Sequence, residues 1–308
     1  MDKPIMSAGP HIHSKDNSRR IMLDVILALL PACVAAVWIF GMKALWILLT
    51  CCLAAVFAEA LFCVITRKSL TVSDLSAVIT GLLLGLNLST NVPLWQCAVG
   101  SVFAIVVVKC LFGGLGRNFA NPAITARIFM LLAFSAVAGG AMPQGVDAVS
   151  SATPLELLGK GATEELPSLL DMFLGLRGGA IGETCVLALI LGGGYLILRK
   201  VIRWQVPAIF IGTVFVLSLI FEGSFQLALY QTLGGGLFLG AIFMATDYAS
   251  TPLSLRAKML FALGCGIITV VIRQFFSYPE GVSFSILCMN ILSPYLERLT
   301  RVKPLGGV

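Results

Sequence analysis

Ile21-Met22-Leu23-Asp24-Val25-Ile26-Leu27-Ala28-Leu29-Leu30-Pro31-Ala32-Cys33-Val34-Ala35-Ala36-Val37-Trp38-Ile39-Phe40 is an apolar run broken by a single acid. A helix needs about 20 apolar residues to cross the hydrocarbon core of a bilayer, and this run has that length. Working outward, further apolar segments follow at about 44–66, 72–89, 94–112, 121–139, 181–198, 206–221, 225–246, 256–273 and 281–297. Asp74, Asn87, Asp247, Asn290 and Pro294 interrupt or border the third, eighth and tenth of the ten. With 58% hydrophobic and 12% charged residues in 308, the chain is too apolar to close around one water-soluble core. The expected fold is all-α and polytopic, with about ten transmembrane helices in the lipid bilayer.

Basic residues gather in cytoplasmic loops. Lys3, Lys15, Arg19 and Arg20 lie before the first span, Arg67 and Lys68 after the second, and Arg117 after the fourth. Arg199, Lys200 and Arg203 follow the sixth, Arg256 and Lys258 the eighth, and Arg298, Arg301 and Lys303 the tenth. The opposite set of loops holds only Lys43, Lys160, Arg177 and Arg273. Both termini are therefore expected in the cytoplasm, and the loop 140–180 outside. The organisation read from this is a tail 1–20, a five-helix half 21–139, the outward loop 140–180, a second five-helix half 181–297 and a tail 298–308. Two halves of five spans have opposite orientations. Gly81-Leu82-Leu83-Leu84-Gly85 in span 3 returns as Gly236-Leu237-Phe238-Leu239-Gly240 in span 8, a trace equally compatible with chance and with an inverted repeat whose interrupted helices meet near the midplane.

The first apolar run follows a polar tail, and no small-residue cleavage signature comes after it, which argues against a removable signal peptide. The nine cysteines sit in or beside apolar segments without a C-x-x-C pair, so packing is expected of them and a metal site is not. His11 and His13 form only a weak metal-like pair. The net charge of +6 is distributed as a membrane topology signal, and no nucleic-acid partner is expected.

The outward loop contains Asp147-Ala148-Val149-Ser150-Ser151-Ala152-Thr153-Pro154. Thr153 as N-cap, Pro154 at the first helical position and Glu156 at the third compose a capping box, which needs no ligand. The same helix start also favours phosphate oxygens, and Pro154 holds Thr153 extended with its hydroxyl off the helix. Gly113-Gly114-Leu115-Gly116 follows no strand and reads as a tight turn, not a dinucleotide fingerprint. Arg127, about two turns into span 5, either snorkels or meets a polar group. Asp24, Glu59, Asp74 and Asp247 are ionisable groups at or inside span boundaries, with helix capping the favoured reading of Asp74 and Asp247.

The D-x-x-S-S-A-T-P stretch resembles the covalent flavin site of the family that joins Rnf complex D subunits to the B subunits of Na⁺-translocating quinone reductases. The likeness extends to Pro10-His11-Ile12-His13-Ser14, to Gly113 through Ala123, to Gly182-Glu183 and to Met244-Ala245-Thr246-Asp247. Length and layout are closer to the Rnf D subunit, and Ser151 stands where the family often has Gly. The resemblance implies FMN esterified through its phosphate to Thr153, with Ser150, Ser151, Ala152, Asp147 and Glu183 around it. It leaves open a second, noncovalent flavin (riboflavin) or an ion route at Arg117, Asn118, Asn121, Arg127 and Asp247. No residue is expected to be catalytic by itself. The implied setting is a prokaryotic inner membrane and an ion-translocating ferredoxin:NAD⁺ oxidoreductase, with iron–sulfur and flavin subunits as neighbours, a flavin transferase for maturation, and Na⁺ or H⁺ as the coupled ion. Ser250-Thr251-Pro252 imitates the motif but lies on the cytoplasmic side and lacks the full D-x-x-S-S-A-T-P arrangement, and it is not expected to carry flavin. The rival readings are a solute channel or secondary transporter of inverted repeats, and a quinone-reducing B-type subunit.

Overall fold

The structure, a computed structural model, describes residues 17–134, 137, 140–141, 143, 153–162, 164, 166–276 and 281–300. Asp147, Ser150, Ser151, Ala152, His11 and His13 lie outside that set. Among the described residues the regular structure is helical, and the one bridge of β type joins Ala141 to Gly179. The elements are α1 (Ser18–Phe40), α2 (Met42–Ile65), α3 (Ser76–Leu86), α4 (Leu94–Phe103), α5 (Pro122–Ala133), α6 (Pro154–Gly159), α7 (Leu169–Leu174), α8 (Val186–Leu198), α9 (Gln205–Glu222), α10 (Phe225–Leu233), α11 (Leu237–Leu239), α12 (Leu255–Phe275) and α13 (Gly281–Leu299). Two π-helical segments continue α4 and α11, over Ala104–Cys110 and Gly240–Met244.

Each of the ten apolar segments contains helix, but their lengths differ from the sequence expectation. α1, α2, α9 and α12 are long and apolar enough to cross a membrane, and α10 with α11 adds a fifth span if the pair is counted as one. That pair bends by 61° at Gly234-Gly235-Gly236. The third segment is α-helical only over Ser76–Leu86, because Leu75, at φ 65°, takes a left-handed conformation that ends the preceding 3-10 turn Val72–Asp74. The fifth stops at Ala133, where Phe134 turns extended. The sixth begins at Val186, since residues 181–184 form turns. Between α1 and α2 the chain reverses at Gly41, whose φ of 71° suits a residue without Cβ.

The periphery is apolar, as a lipid-facing surface must be: Trp38 is 87% exposed, Leu53 69% and Phe57 67%. This is an integral membrane protein. The interior is packed by small residues and aliphatics, among them Ala28, Leu29, Cys51, Leu84, Cys97, Ile124, Leu189, Phe210, Phe261 and Cys265. α2 packs on α3 and α4 while α9 packs on α10 and α12, and α1 lies against α8, a pairing that repeats between the halves. The ends of the two echoing pentads converge. Asn87, the C-cap of α3, places its amide 3.7 Å from Met244 Sδ, and a Cβ added to Gly236 would stand 4.0 Å from Asn87 Oδ1.

Candidate functional site: a capped threonine and a buried polar pocket

Thr153 is the N-cap of α6, extended at φ −73° and ψ 154°, and its Oγ1 accepts from the Glu156 amide at 3.3 Å. Pro154 fills the first helical position. The Glu156 carboxylate turns to Lys160 at 2.9 Å, so only the forward half of the capping box is formed among the described residues. The cap draws on a lone pair of Oγ1 and leaves the hydroxyl hydrogen uncommitted to it, so esterification there removes no donation that α6 relies on. Thr251, the imitator, differs in this respect: its hydroxyl donates to the carbonyl of Asp247. α6 itself rests on the α10–α11 break, because Leu155 side-chain atoms lie 2.9 Å and 2.7 Å from where Cβ atoms on Gly234 and Gly235 would stand.

Asn118, Asn121 and Asp247 come together in a cavity of about 80 Å³ that opens to the surface and is walled mainly by apolar side chains such as Ile79, Leu83, Leu196 and Phe243. Small-molecule sites have this character, apolar walls with a few placed polar groups. Asn121 caps α5, accepting from the Ala123 and Ile124 amides at 3.0 and 3.3 Å, and its own amide reaches Asp247 Oδ2 at 3.5 Å. Asp247 accepts from the Ala249 amide at 3.2 Å and from Ser250 Oγ at 3.0 Å, so its turn-forming role is present as well. Burial pushes the Asp247 carboxyl above its ordinary range, against the lowering effect of those two donors. Asn118 is 8% exposed, and its Oδ1 has no partner among the described residues, a buried acceptor left for a ligand or water.

The remaining candidates lie elsewhere. Arg117 is exposed, beside the turn at Gly113. Arg127 points away from the cavity: it is 6% exposed, does not snorkel, and donates from Nη1 to Asn87 Oδ1 at the end of α3. Glu183, 2% exposed, accepts from the Ala180 amide at 3.1 Å and contributes attraction to Arg127, Arg177 and Arg273. Arg177 Nη2 donates to the carbonyls of Glu183 and Leu233, while Arg273 donates to those of Gln231 and Gly234. Two arginines thus satisfy the carbonyls that α10 leaves open where it breaks. Glu183 belongs to that buried cluster, and no contact among the described residues joins it to Thr153.

A family model described as the NQR2, RnfD, RnfE family matches residues 5–306. The chain belongs to this family. Its relatives include the D subunit of the Na(+)-translocating ferredoxin:NAD(+) oxidoreductase complex of Acetobacterium woodii, 45% identical over 98% of this chain and 95% of the relative. The D subunit of the proton-translocating ferredoxin:NAD(+) oxidoreductase complex of Clostridium ljungdahlii is 38% identical over 98% and 96%. The D subunit of an ion-translocating oxidoreductase complex of Stutzerimonas stutzeri is 35% identical over 93% and 92%.

For a member of this family, one buried cation escaped the reading of the sequence altogether. Lys109, on the π-helical extension of α4, pairs with Glu59 of α2 at 2.7 Å, both side chains 2% exposed. A lysine inside the apolar run Ala104–Phe112 was the signal, since such a residue needs an intramembrane partner. Arg177 and Arg273 were read as loop charges, and nothing local marks them as helix-end ligands. Asp24 instead pairs with Arg199 at 3.1 Å and accepts from Tyr195 at 2.9 Å, and Asp74, one residue before the N-cap of α3, accepts from the Ser76 amide at 2.9 Å.

Proposed function

We propose that this chain is the D-type membrane subunit of an Rnf-type, ion-translocating ferredoxin:NAD⁺ oxidoreductase, with FMN esterified to Thr153 and a second, noncovalent flavin in the cavity of Asn118, Asn121 and Asp247. The observation that carries the reading is the near-full-length likeness to D subunits, joined to a threonine whose hydroxyl is presented by an N-cap and a following proline. A flavin supplies one- and two-electron redox chemistry; the protein supplies position, electrostatics and a membrane barrier.

The residues fit both groups. At Thr153 the Leu155 amide, without a partner among the described residues, and the helix start suit a phosphate oxygen, and the Leu155 side chain fixes α6 on the α10–α11 break. In the cavity, the unpartnered Asn118 Oδ1 offers an acceptor to a ring N–H, Asn121 is held rigid by its capping bonds, and apolar walls exclude water. Asp247, by its burial, is a group able to hold a proton at its carboxyl oxygen. Redox-driven movement of Na⁺ or H⁺ belongs to the assembly, whose other iron–sulfur and flavin subunits are the partners of this chain, and a flavin transferase is its maturation enzyme. We place the chain in a prokaryotic inner membrane with both termini cytoplasmic and the Thr153 loop outside.

The test is a denaturing gel of the full chain co-expressed with a flavin transferase. A fluorescent band is expected for the wild type and a dark one for Thr153→Val, with mass spectrometry placing the added mass on the Thr153 peptide. A dark wild-type band with active transferase refutes the assignment.

A further inference from the structure

The cavity that gathers Asn118, Asn121 and Asp247 has a charged wall that no local motif announces. Lys109 lines it, together with Ser76 and Thr80, while its ion-pair partner Glu59 does not. The Lys109 ammonium donates to Glu59 Oε1 at 2.7 Å and to Ser76 Oγ at 2.6 Å. Both partners are held in turn: Thr71 donates to the same Glu59 oxygen at 2.7 Å, and the Ser76 hydroxyl donates to Asp74 Oδ1. An ammonium has three hydrogens, and the third has no acceptor among the described residues. The pair is therefore arranged with Lys109, and not Glu59, contributing to the cavity wall. Lys109 also sits on a π-helical segment, an insertion into helical geometry that recurs at functional sites because it redirects a side chain.

A purely structural ion pair does not require this orientation. A buried pair returns little net stability over an apolar replacement, and this one places its lysine in the lining of the cavity. One wall includes the lysine of a buried ion pair; at the Asn118 side stands a buried acceptor with no donor among the described residues. Donor and acceptor of that kind match a heteroaromatic ring edge that alternates carbonyl and N–H groups, and the charge favours a ring bearing negative charge near those carbonyls.

We propose that Lys109 is a ligand-binding residue of this cavity, positioned by Glu59 and Ser76, and that it fits the site to a redox-active heteroaromatic ring that carries negative charge at its carbonyl-bearing end. The assignment rests on the second-flavin reading given above and adds to it the residue that sets the charge preference of the site.

The test uses the full chain purified in detergent. Acid extraction of the Thr153→Val protein first counts noncovalent flavin; none, in protein that folds, overturns the second-flavin reading and leaves the FMN assignment standing. With flavin present, it is exchanged for 8-mercaptoriboflavin, whose anion absorbs at long wavelength when its negative charge is drawn to the pyrimidine end by a nearby cation, and at shorter wavelength when the charge stays on sulfur. The long-wavelength form is expected in the otherwise wild-type protein. The doubly neutral Glu59→Gln/Lys109→Gln protein is expected to bind the probe several-fold more weakly and in the sulfur-centred form, and Lys109→Arg to restore the long-wavelength band. A bound probe in the sulfur-centred form in the protein with Lys109 intact overturns the proposal, whatever the variants do. So does an unchanged long-wavelength band in the double variant.

Discussion

Breaking the Glu59–Lys109 pair one charge at a time is expected to destabilise the protein far more than removing both charges. Each side chain is 2% exposed and the N–O distance is 2.7 Å. Lys109→Gln strands the Glu59 carboxylate with Thr71 as its only remaining donor among the described residues and with Oε2 already unpartnered. Glu59→Gln strands the ammonium in the same way. Removing one partner of a buried pair costs about 3–5 kcal/mol, or roughly two to three and a half powers of ten in the folding equilibrium at 1.4 kcal/mol per tenfold. The double variant carries no buried charge, and its cost is expected to fall short of the summed single costs by at least about 2 kcal/mol, the signature of direct coupling. The assay is reversible unfolding in mixed micelles followed by thiol labelling, since Cys51, Cys63, Cys97 and Cys265 are buried in the folded state. Single substitutions that each cost under about 1 kcal/mol, or a double that equals their sum, would refute the idea that the pair is desolvated and mutually compensated.

The Asp24–Arg199 pair provides a milder expectation: Asp24 is 8% exposed but Arg199 39%, so after Asp24→Asn the unpaired cation stays within reach of water, and the cost is expected to fall below the about 3–5 kcal/mol of a fully buried pair in the same unfolding assay. Gly81→Ala is expected to lose folded protein by size-exclusion yield, because its Cβ would stand 2.7 Å from Cys52 Cα and 2.8 Å from the Cys51 carbonyl oxygen, backbone that cannot give way; overpacking of this kind costs about 1–3 kcal/mol. Gly194→Ala, with nothing within 4 Å of the new methyl, is expected to be neutral or to stabilise by about 0.4–1 kcal/mol. Asn121→Ala removes the cap of α5 and the contact to Asp247; a loss of about 1 kcal/mol and a lower content of acid-extractable flavin are expected, with the fluorescence at Thr153 unchanged.

The capping geometry of Thr153 was legible because it is local. A threonine, a proline and a third-position acid specify a helix start wherever the chain runs, and the structure shows the amide of Glu156 on Thr153 Oγ1. Even there the Glu156 side chain went to Lys160, a choice between two neighbours that the motif does not encode. The fold brings together only part of the set Arg117, Asn118, Asn121, Arg127 and Asp247. Asn118 and Asn121 sit on the loop before α5 and at its cap, so they share the cavity with Asp247, whereas the intervening helix carries Arg127 away to Asn87.

Composition and the lengths of the apolar runs sufficed for an all-helical membrane protein, since a bilayer demands internally satisfied backbone over about 20 residues. Tertiary structure alone decided which of those runs break. α10 stops at Leu233 because Arg177 and Arg273, far away in sequence, supply donors to its open carbonyls, and Gly234 and Gly235 admit Leu155 at the gap. It also decided which charges are paired and which face a cavity: Lys109 meets Glu59 across 50 residues. A charge inside lipid must find a counter-charge, but which one it finds depends on how helices cross, and helix crossing is a property of packed surfaces that no single stretch of chain contains.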